Sequence, residues 1–189
     1  MDMLSTFQGS HFSKVFPAEW DLKKVKECTT QPPESIGQRQ PFWNDQFDIT
    51  PCTNLEEFGV YMGHEIAMQI RLAKEEGRQL ILILPVGPMG MYKWVVYFLK
   101  TWNISCEHVH GFNMDEWSDA QGNTVPSSEP VAFQNAMQNA LYGPLGKLTV
   151  PEKQRNFATR DNLVQYPEKI AALKAKGAKQ VMIYGIGRV

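Results

Sequence analysis

The sequence predicts an α/β protein whose doubly wound, mostly parallel sheet is flanked by helices, a Rossmann-like arrangement. Segments of strand length alternate along the chain with segments of helical periodicity. The run 79–84 is apolar without alternation, which is typical of a central strand covered on both faces. A chain of 189 residues, 43% hydrophobic and 21% charged, is also large enough to bury a substantial core.

Composition excludes several functional classes. A net charge of -1 leaves no basic surplus, which disfavours nucleic-acid or anionic-membrane binding through bulk charge. No segment approaches the roughly 20 apolar residues of a membrane span, and the N-terminus lacks the pattern of a secretory signal. Cys28, Cys52 and Cys106 form no CxxC pair, which argues against a disulfide framework or a cysteine zinc site. We therefore expect a cytoplasmic protein with neither nucleic-acid nor membrane partners.

Two regions are predicted. Residues 1–52 form an irregular N-terminal arm, interrupted by prolines yet rich in aromatic side chains that a disordered tail rarely carries. We expect this arm to pack across the domain or a neighbouring subunit, so that it supports a homo-oligomer. Residues 53–189 form the α/β domain. The large apolar side chains of the arm are Phe12, Val15, Phe16, Trp20, Phe42, Trp43 and Phe47.

The first elements of the α/β domain have clear boundaries. The segment from Thr53 to Glu56 fits a capping box, in which the two side chains satisfy the first backbone donors of a helix. Apolar residues then recur at three- and four-residue steps as far as about Glu76, and Gly77 suits the left-handed residue that ends a helix. The central strand 79–84 follows.

The remaining elements continue the alternation. Pro130 suits the first turn of a helix, and Gly177 follows the last predicted one. A final strand with a glycine turn would normally feed a helix that covers the sheet. The pattern therefore favours a domain that is incomplete at its C-terminus over one closed by an edge strand. The predicted elements are a helix over 91–102, a strand over 106–112, helices over 130–141 and 167–176, and a strand over 180–184.

Three glycine-containing turns follow the three predicted strands. They are PVGPMG at 85–90, GFNMDEW at 111–117 and YGIGRV at 184–189. If the strands are parallel, all three turns lie on the rim where open α/β sheets bind ligands. The first turn offers backbone N–H groups and a helix N-terminus to a phosphate, or it is simply a tight connection. It is neither a Walker A sequence nor GxGxxG.

The second turn carries adjacent carboxylates. Asp115 and Glu116, flanked by aromatic residues, suit a general base kept partly dry, although a solvated turn with a helix cap fits the same pattern. His108 and His110 could form a metal site with Asp115, but no further ligand has diagnostic spacing. We therefore predict no metal. The sequence contains no GxSxG and no cysteine with a convincing partner, so acyl-enzyme chemistry is not supported.

The order of these motifs is similar to that of a known family. Leu84-Pro85-x-Gly before a helix with Tyr92-Lys93, then FNMDEW at 112–117, then the glycine turn that starts at Gly185, resembles glucosamine-6-phosphate deaminase, also called glucosamine-6-phosphate isomerase. Its wider superfamily includes 6-phosphogluconolactonase. The likeness covers roughly residues 53–189, and FNMDE[YW] is its specific element.

The resemblance implies an activity and a set of site residues. The family converts glucosamine 6-phosphate and water to fructose 6-phosphate and ammonia, without metal or organic cofactor. The aspartate of its FNMDE motif, Asp115 here, shuttles a proton between C2 and C1 of the opened sugar, and Glu116 supports it. Its glycine turns hold the sugar phosphate. The glycines at the corresponding positions here are Gly87, Gly90, Gly185 and Gly187.

Two departures from the family pattern leave alternatives open. The family's third turn usually continues as GxGNDGH, whereas Gly187 is followed here by Arg188 and Val189, and the first turn lacks the usual threonines. A truncated or divergent chain could therefore be a non-catalytic sugar-phosphate binding or regulatory domain. A metal-dependent hydrolase built on His108, His110 and Asp115 is a third hypothesis.

Overall fold

A computed structural model describes residues 50–185, together with Lys23 and Glu27. The predicted N-terminal arm, 1–52, lies almost entirely outside the described residues, as do Gly187 and the rest of the third turn after Gly185. The part of the chain that starts at Cys52 forms one compact unit.

The described unit alternates helices with strands. Several of its short elements were not predicted, because elements of two to four residues leave no periodic pattern in a sequence. The helices and strands are α1 (Leu55–Glu75), β1 (Leu80–Leu84), α2 (Gly90–Trp102), β2 (Val109–Asn113), α3 (Phe133–Met137), a π-helical segment (Gln138–Tyr142), α4 (Gly143–Leu145), 3-10 turns (Gly146–Leu148 and Glu152–Gln154), β3 (Arg155–Asn156), α5 (Arg160–Leu163), α6 (Tyr166–Ala175) and β4 (Lys179–Met182).

The four described strands form one parallel sheet in the order β3-β2-β1-β4. Successive strands proceed outward from β1 through β2 to β3, and the chain then returns to the other side of β1. This reversal is the mark of a doubly wound sheet. The predicted fold class is thereby confirmed.

Helices cover both faces of the sheet, because the side chains of β1 alternate between two apolar clusters. Leu80, Leu82 and Leu84 pack on one face with α1, α2 and the π-helical segment. Ile81 and Ile83 face the other way, where α6 covers them through Tyr166, Ile170 and Leu173. The uniformly apolar run that predicted a central strand is thus explained by burial on both faces.

The start of α1 differs from the predicted capping box by one residue. Asn54 is the N-cap, and its side chain accepts a hydrogen bond from the Glu57 backbone N–H at 2.8 Å. The Glu57 carboxylate in turn accepts from the backbone N–H and the hydroxyl of Thr53. Glu56 is therefore free to pair with Lys93 on α2, at 2.9 Å. At the other end, Gly77 has φ +65°, the left-handed conformation predicted for it.

Two predicted boundaries also shift, each for a local reason. Residues 106–108 form a turn rather than the start of β2, because the Val109 N–H donates to the carbonyl of Cys106. The helix predicted from Pro130 begins only at Phe133, where a side chain from the second turn satisfies its first backbone donors. It then widens into the π-helical segment.

Gly111 on β2 allows a buried tyrosine to approach the strand. A Cβ at this position would lie 2.6 Å from the hydroxyl oxygen of Tyr142, and that hydroxyl has no hydrogen-bond partner in the described part of the chain. We expect Gly111→Ala to lower the free energy of unfolding by about 1–3 kcal/mol. Tyr142→Phe removes the clashing, unpartnered oxygen and should leave stability unchanged or raise it.

A double-mutant cycle followed by urea denaturation measures this coupling. Tyr142→Phe should recover most of the loss caused by Gly111→Ala, because the next ring atom lies 3.6 Å from the added methyl group. Additive losses in the double variant would contradict the proposed contact.

Within the described residues, no helix combines the length and the apolar character that a membrane crossing requires.

Candidate functional site

The parallel pairing brings the strand ends that precede the three turns to one rim. Leu84, the last residue of β1, pairs with Asn113, the last residue of β2. On the other side of β1, Ile83 pairs with Met182 at the end of β4. The order in which strands are added to the sheet reverses at β1, between β2 on one side and β4 on the other, and such a switch point opens a crevice beyond the carboxyl ends of the strands. The candidate site therefore lies above β1.

The first turn is open and ends in an uncapped helix. Gly87 has φ +130°, and a Cβ at Gly87 or at Gly90 would meet nothing within 4 Å. No side chain in the described part of the chain caps α2. The N–H groups of Met91 and Tyr92 donate to the carbonyls of Pro88 and Met89, which leaves the Gly90 N–H as the first-turn donor for an anion. Lys93 does not add a free charge here, because its ammonium group is paired with Glu56.

The second turn is fixed at both of its ends. The Met114 N–H donates to the carbonyl of Leu84 at 3.0 Å, which joins the turn to β1. The Glu116 carboxylate accepts from the backbone N–H groups of Phe133 at 2.7 Å, Gln134 at 2.8 Å and Trp117 at 3.0 Å. Glu116 therefore anchors the turn to the start of α3, which is the helix-cap role that the sequence left open.

Asp115, between these two anchors, has an exposed side chain. Partial burial raises the pKa of its carboxyl group, and the neighbouring charge of Glu116 raises that pKa further. Asp115 also acts on Tyr92 of α2, whose pKa is raised by burial, then by Tyr142 and then by Asp115. The Tyr92 hydroxyl donates to the carbonyl of Pro85 in the first turn. The carboxylate thus faces solvent in electrostatic contact with the residue that supports the first turn.

The third turn is described only as far as Gly185. The Ile183 N–H donates to the carbonyl of Ile83 at 2.9 Å, which continues the β1–β4 pairing past the end of β4. Gly185 follows two residues later, and a Cβ there would meet nothing within 4 Å. The roles predicted for Asp115, Glu116, Gly87, Gly90, Gly185 and Gly187 remain predictions.

The two histidines lie at the other end of β2 from Asp115. The ring Nε2 of His108 is 2.8 Å from the carbonyl of Ile70, and that of His110 is 3.0 Å from the side-chain oxygen of Gln79. Burial lowers the pKa of both rings. No group of three His, Cys, Asp or Glu side chains suited to a metal ion occurs among the described residues. The geometry gives no support to the hydrolase hypothesis.

Two residues at the rim were missed as structural supports. The sequence places Tyr92 and Asn113 in the motifs that resemble the family, but it predicts no structural role for either residue. Asn113 is 1% exposed, and its carbonyl accepts a hydrogen bond from the Tyr166 hydroxyl at 3.0 Å. A polar residue directly after a predicted strand, 106–112, was the available signal for Asn113. No sequence signal indicated the contact from Tyr166, which comes from a helix on the opposite face.

Removal of the Glu116 carboxylate should loosen this rim. We expect Glu116→Ala to lower the free energy of unfolding by about 1–3 kcal/mol, because three backbone N–H groups lose their acceptor. Glu116→Gln keeps one acceptor oxygen and should lose less. Urea denaturation measures both. Glu129→Ala, in the same connection, is the matched control, and an equal loss there would contradict the anchoring role of Glu116.

The fold and the rim together define a doubly wound α/β protein with a carboxylate-bearing site at the carboxyl ends of its parallel strands. No protein-family model matches the chain. It is 28% identical over 136 residues to a glucosamine-6-phosphate deaminase of Caenorhabditis elegans, and 29% identical over 141 residues to one of Borrelia hermsii. A deaminase of Yersinia pestis is 26% identical over 148 residues.

The predicted resemblance is confirmed: the chain is related to the glucosamine-6-phosphate deaminases. The first two alignments each cover 71% of this chain, and 49% and 50% of the respective relatives. The chain therefore spans about half the length of the relatives that it matches.

A solved structure agrees with this relationship at the level of the fold. The structure of a monomeric glucosamine-6-phosphate deaminase, described as a missing link of the NagB superfamily, superposes with a TM-score of 0.57 at 18% identity. The superposition covers 75% of this chain and 56% of the other.

Proposed function

We propose that the chain binds glucosamine 6-phosphate at the rim above β1 and takes part in its conversion to fructose 6-phosphate and ammonia. The observation that carries this proposal is the register of the sheet. It pairs Leu84 with Asn113, so that the first turn and the turn with Asp115 begin side by side. The relationship to named glucosamine-6-phosphate deaminases supports the choice of substrate.

Asp115 is the proposed base. The reaction removes a proton from C2, which lies next to the carbonyl carbon of the opened sugar, and returns a proton to C1. A carboxylate within hydrogen-bond reach of both carbons can do both. The raised pKa of Asp115 supports this role, because a carboxylate with a higher pKa is a stronger base. Glu116 supports Asp115 by its charge and by holding the turn.

The phosphate is proposed to lie against the first turn. The N-terminus of α2 suits an anion because it has no side-chain cap and carries the positive end of the helix dipole. The open positions at Gly87 and Gly90 leave room for the anion to approach. Gly185 and Gly187 are proposed to allow the ligand to approach from the β4 side. These backbone donors would hold the substrate while the Asp115 side chain remains free to react.

Calorimetric titration with glucosamine 6-phosphate, combined with assays of ammonia and fructose 6-phosphate, tests the proposal. Saturable binding with release of both products is the expected result. Ammonia distinguishes a deamination from a plain aldose–ketose isomerisation, which releases none. Binding without either product would favour a non-catalytic sugar-phosphate binding or regulatory domain. Absence of binding would overturn both proposals.

The aromatic residues of the N-terminal arm are also proposed to join copies of the chain. Phe42→Ser combined with Trp43→Ser should then convert an oligomer to a monomer, because the subunit interface would lose two large apolar side chains. Light scattering measures the mass, and an unchanged mass would count against the arm as the contact.

A further inference from the structure

Two buried polar residues end adjacent strands of the sheet. Among the described residues, Asn113 ends β2 and is 1% exposed, and Asn156 ends β3 and is 7% exposed. The two strands are paired, with Phe112 opposite Asn156. Two asparagines, both buried, therefore occupy neighbouring positions at the rim.

The two amides differ in their partners. The Asn156 side-chain nitrogen donates to the carbonyls of Gly111 at 3.1 Å and Gln154 at 3.2 Å, and its oxygen accepts from Lys169 at 3.3 Å. Neither the nitrogen nor the oxygen of the Asn113 side chain has a hydrogen-bond partner within residues 50–185. A buried amide without partners disfavours the folded state. Asn113 is thus maintained at a cost in stability that Asn156 does not incur.

The position of Asn113 relates this unpaired amide to the proposed ligand site. Side chains alternate along a strand, and Phe112 faces α6 through Tyr166, so Asn113 faces the side of the sheet on which α2 lies. It pairs with Leu84, after which the first turn begins, and it precedes Asp115 by two residues. The amide therefore lies at the strand ends from which these two turns start.

The chemistry of the amide indicates its partner. A primary amide supplies both donors and an acceptor, and a hydroxyl group also supplies both. An ionised phosphate only accepts hydrogen bonds, so it could pair with the amide nitrogen but would leave the amide oxygen without a partner. We propose that the Asn113 side chain is a ligand-binding group of this site, which exchanges hydrogen bonds with a hydroxyl group of the sugar phosphate. This inference rests on the proposed function.

Both atoms of the amide are buried, so contact with a ligand requires the groups that cover them to move. The unpaired amide favours such a movement, because its hydrogen bonds are unmade in the buried position.

Asn113→Leu and Asn156→Leu form a matched pair of variants, since leucine keeps the branched heavy-atom skeleton of asparagine and removes the amide. Thermal unfolding without ligand is the first measurement. The melting temperature of Asn113→Leu should equal or exceed that of the wild type, whereas Asn156→Leu should lose several degrees. An equal loss in both variants would overturn the inference, because Asn113 would then have structural partners of its own.

Ligand titration is the second measurement. Asn113→Leu should bind glucosamine 6-phosphate at least about tenfold more weakly than the wild type, while its affinity for inorganic phosphate stays the same. If Asn113→Leu binds the sugar phosphate as tightly as the wild type does, the role of Asn113 is overturned and the proposed function is not. A wild-type chain that does not bind glucosamine 6-phosphate would overturn the proposed function together with this inference.

Discussion

Asp115→Asn should lose at least about a hundredfold in proton transfer while it retains affinity for glucosamine 6-phosphate. General-base catalysis contributes about 10²–10⁴-fold, and asparagine removes the base while preserving the shape of the side chain. Incorporation of deuterium from solvent at C1 of fructose 6-phosphate, followed by NMR, reports this step alone. Unchanged incorporation in the variant would exclude Asp115 as the base.

The same variant should be more stable than the wild type at neutral pH. The pKa of Asp115 is raised in the folded protein, so the folded state binds more protons than the unfolded state just above pH 3.8, the ordinary value for aspartate. The wild type therefore loses stability as pH rises through this range, and Asp115→Asn does not. The two melting temperatures should converge below pH 3.8.

Asp119 is the control for this pH dependence, because its shift has the opposite sign. Hydrogen bonds from Asn123, and then from Gln121 and Gly122, lower the pKa of its carboxyl group. Its contribution to stability is present at neutral pH and is lost as pH falls. Asp119→Asn should therefore lower the melting temperature at pH 7, and a gain there would contradict both assignments.

Gly63→Ala should destabilise the fold by about 3 kcal/mol, at the upper end of the range for overpacking. A Cβ at Gly63 would lie 2.4 Å from the Cβ of Trp94 and 2.7 Å from the carbonyl oxygen of Met91. Both atoms belong to the first half of α2 and cannot move as the free end of a side chain could. The helix that begins at the proposed phosphate position would have to shift away from α1.

Gly59→Ala is the matched control on the same helix. A Cβ at Gly59 would lie 3.4 Å from the carbonyl oxygen of Gly90, an ordinary contact distance. Alanine favours a helix over glycine by about 1 kcal/mol, so this variant should be as stable as the wild type or slightly more stable. Urea denaturation compares the two variants. Equal changes in the free energy of unfolding would show that the close approach of α1 to α2 at Gly63 does not cause the loss of stability.

The sequence predicted the parts of this fold that depend on repeated local pattern. The run 79–84 indicated a strand buried on both faces, and the helical spacing after Thr53 indicated α1. The capping box was displaced by one residue because Thr53, Asn54, Glu56 and Glu57 offer two overlapping versions of it. The pairing of Glu56 with Lys93, from another helix, favours the version in which Glu57 takes part in the cap.

The candidate site was predictable in outline for a different reason. Glycine turns after strands can be read locally, and parallel pairing then brings them to one rim. The hydrogen bonds of Glu116 could not be read in this way, because their donors, Phe133 and Gln134, lie across an irregular connection. The unpaired state of Asn113 could not be read from the sequence either, since it depends on which groups the fold brings near the amide.

The central position of β1 also affects how the chain folds. Leu80 pairs with Val109 on one side and with Lys179 on the other, so β1 acquires its second neighbour only late in the sequence. Pairings between distant residues close large loops and slow folding. During synthesis, an intermediate with one edge of β1 unpaired should precede the native state. That edge is a surface on which chaperones or misassembly could act.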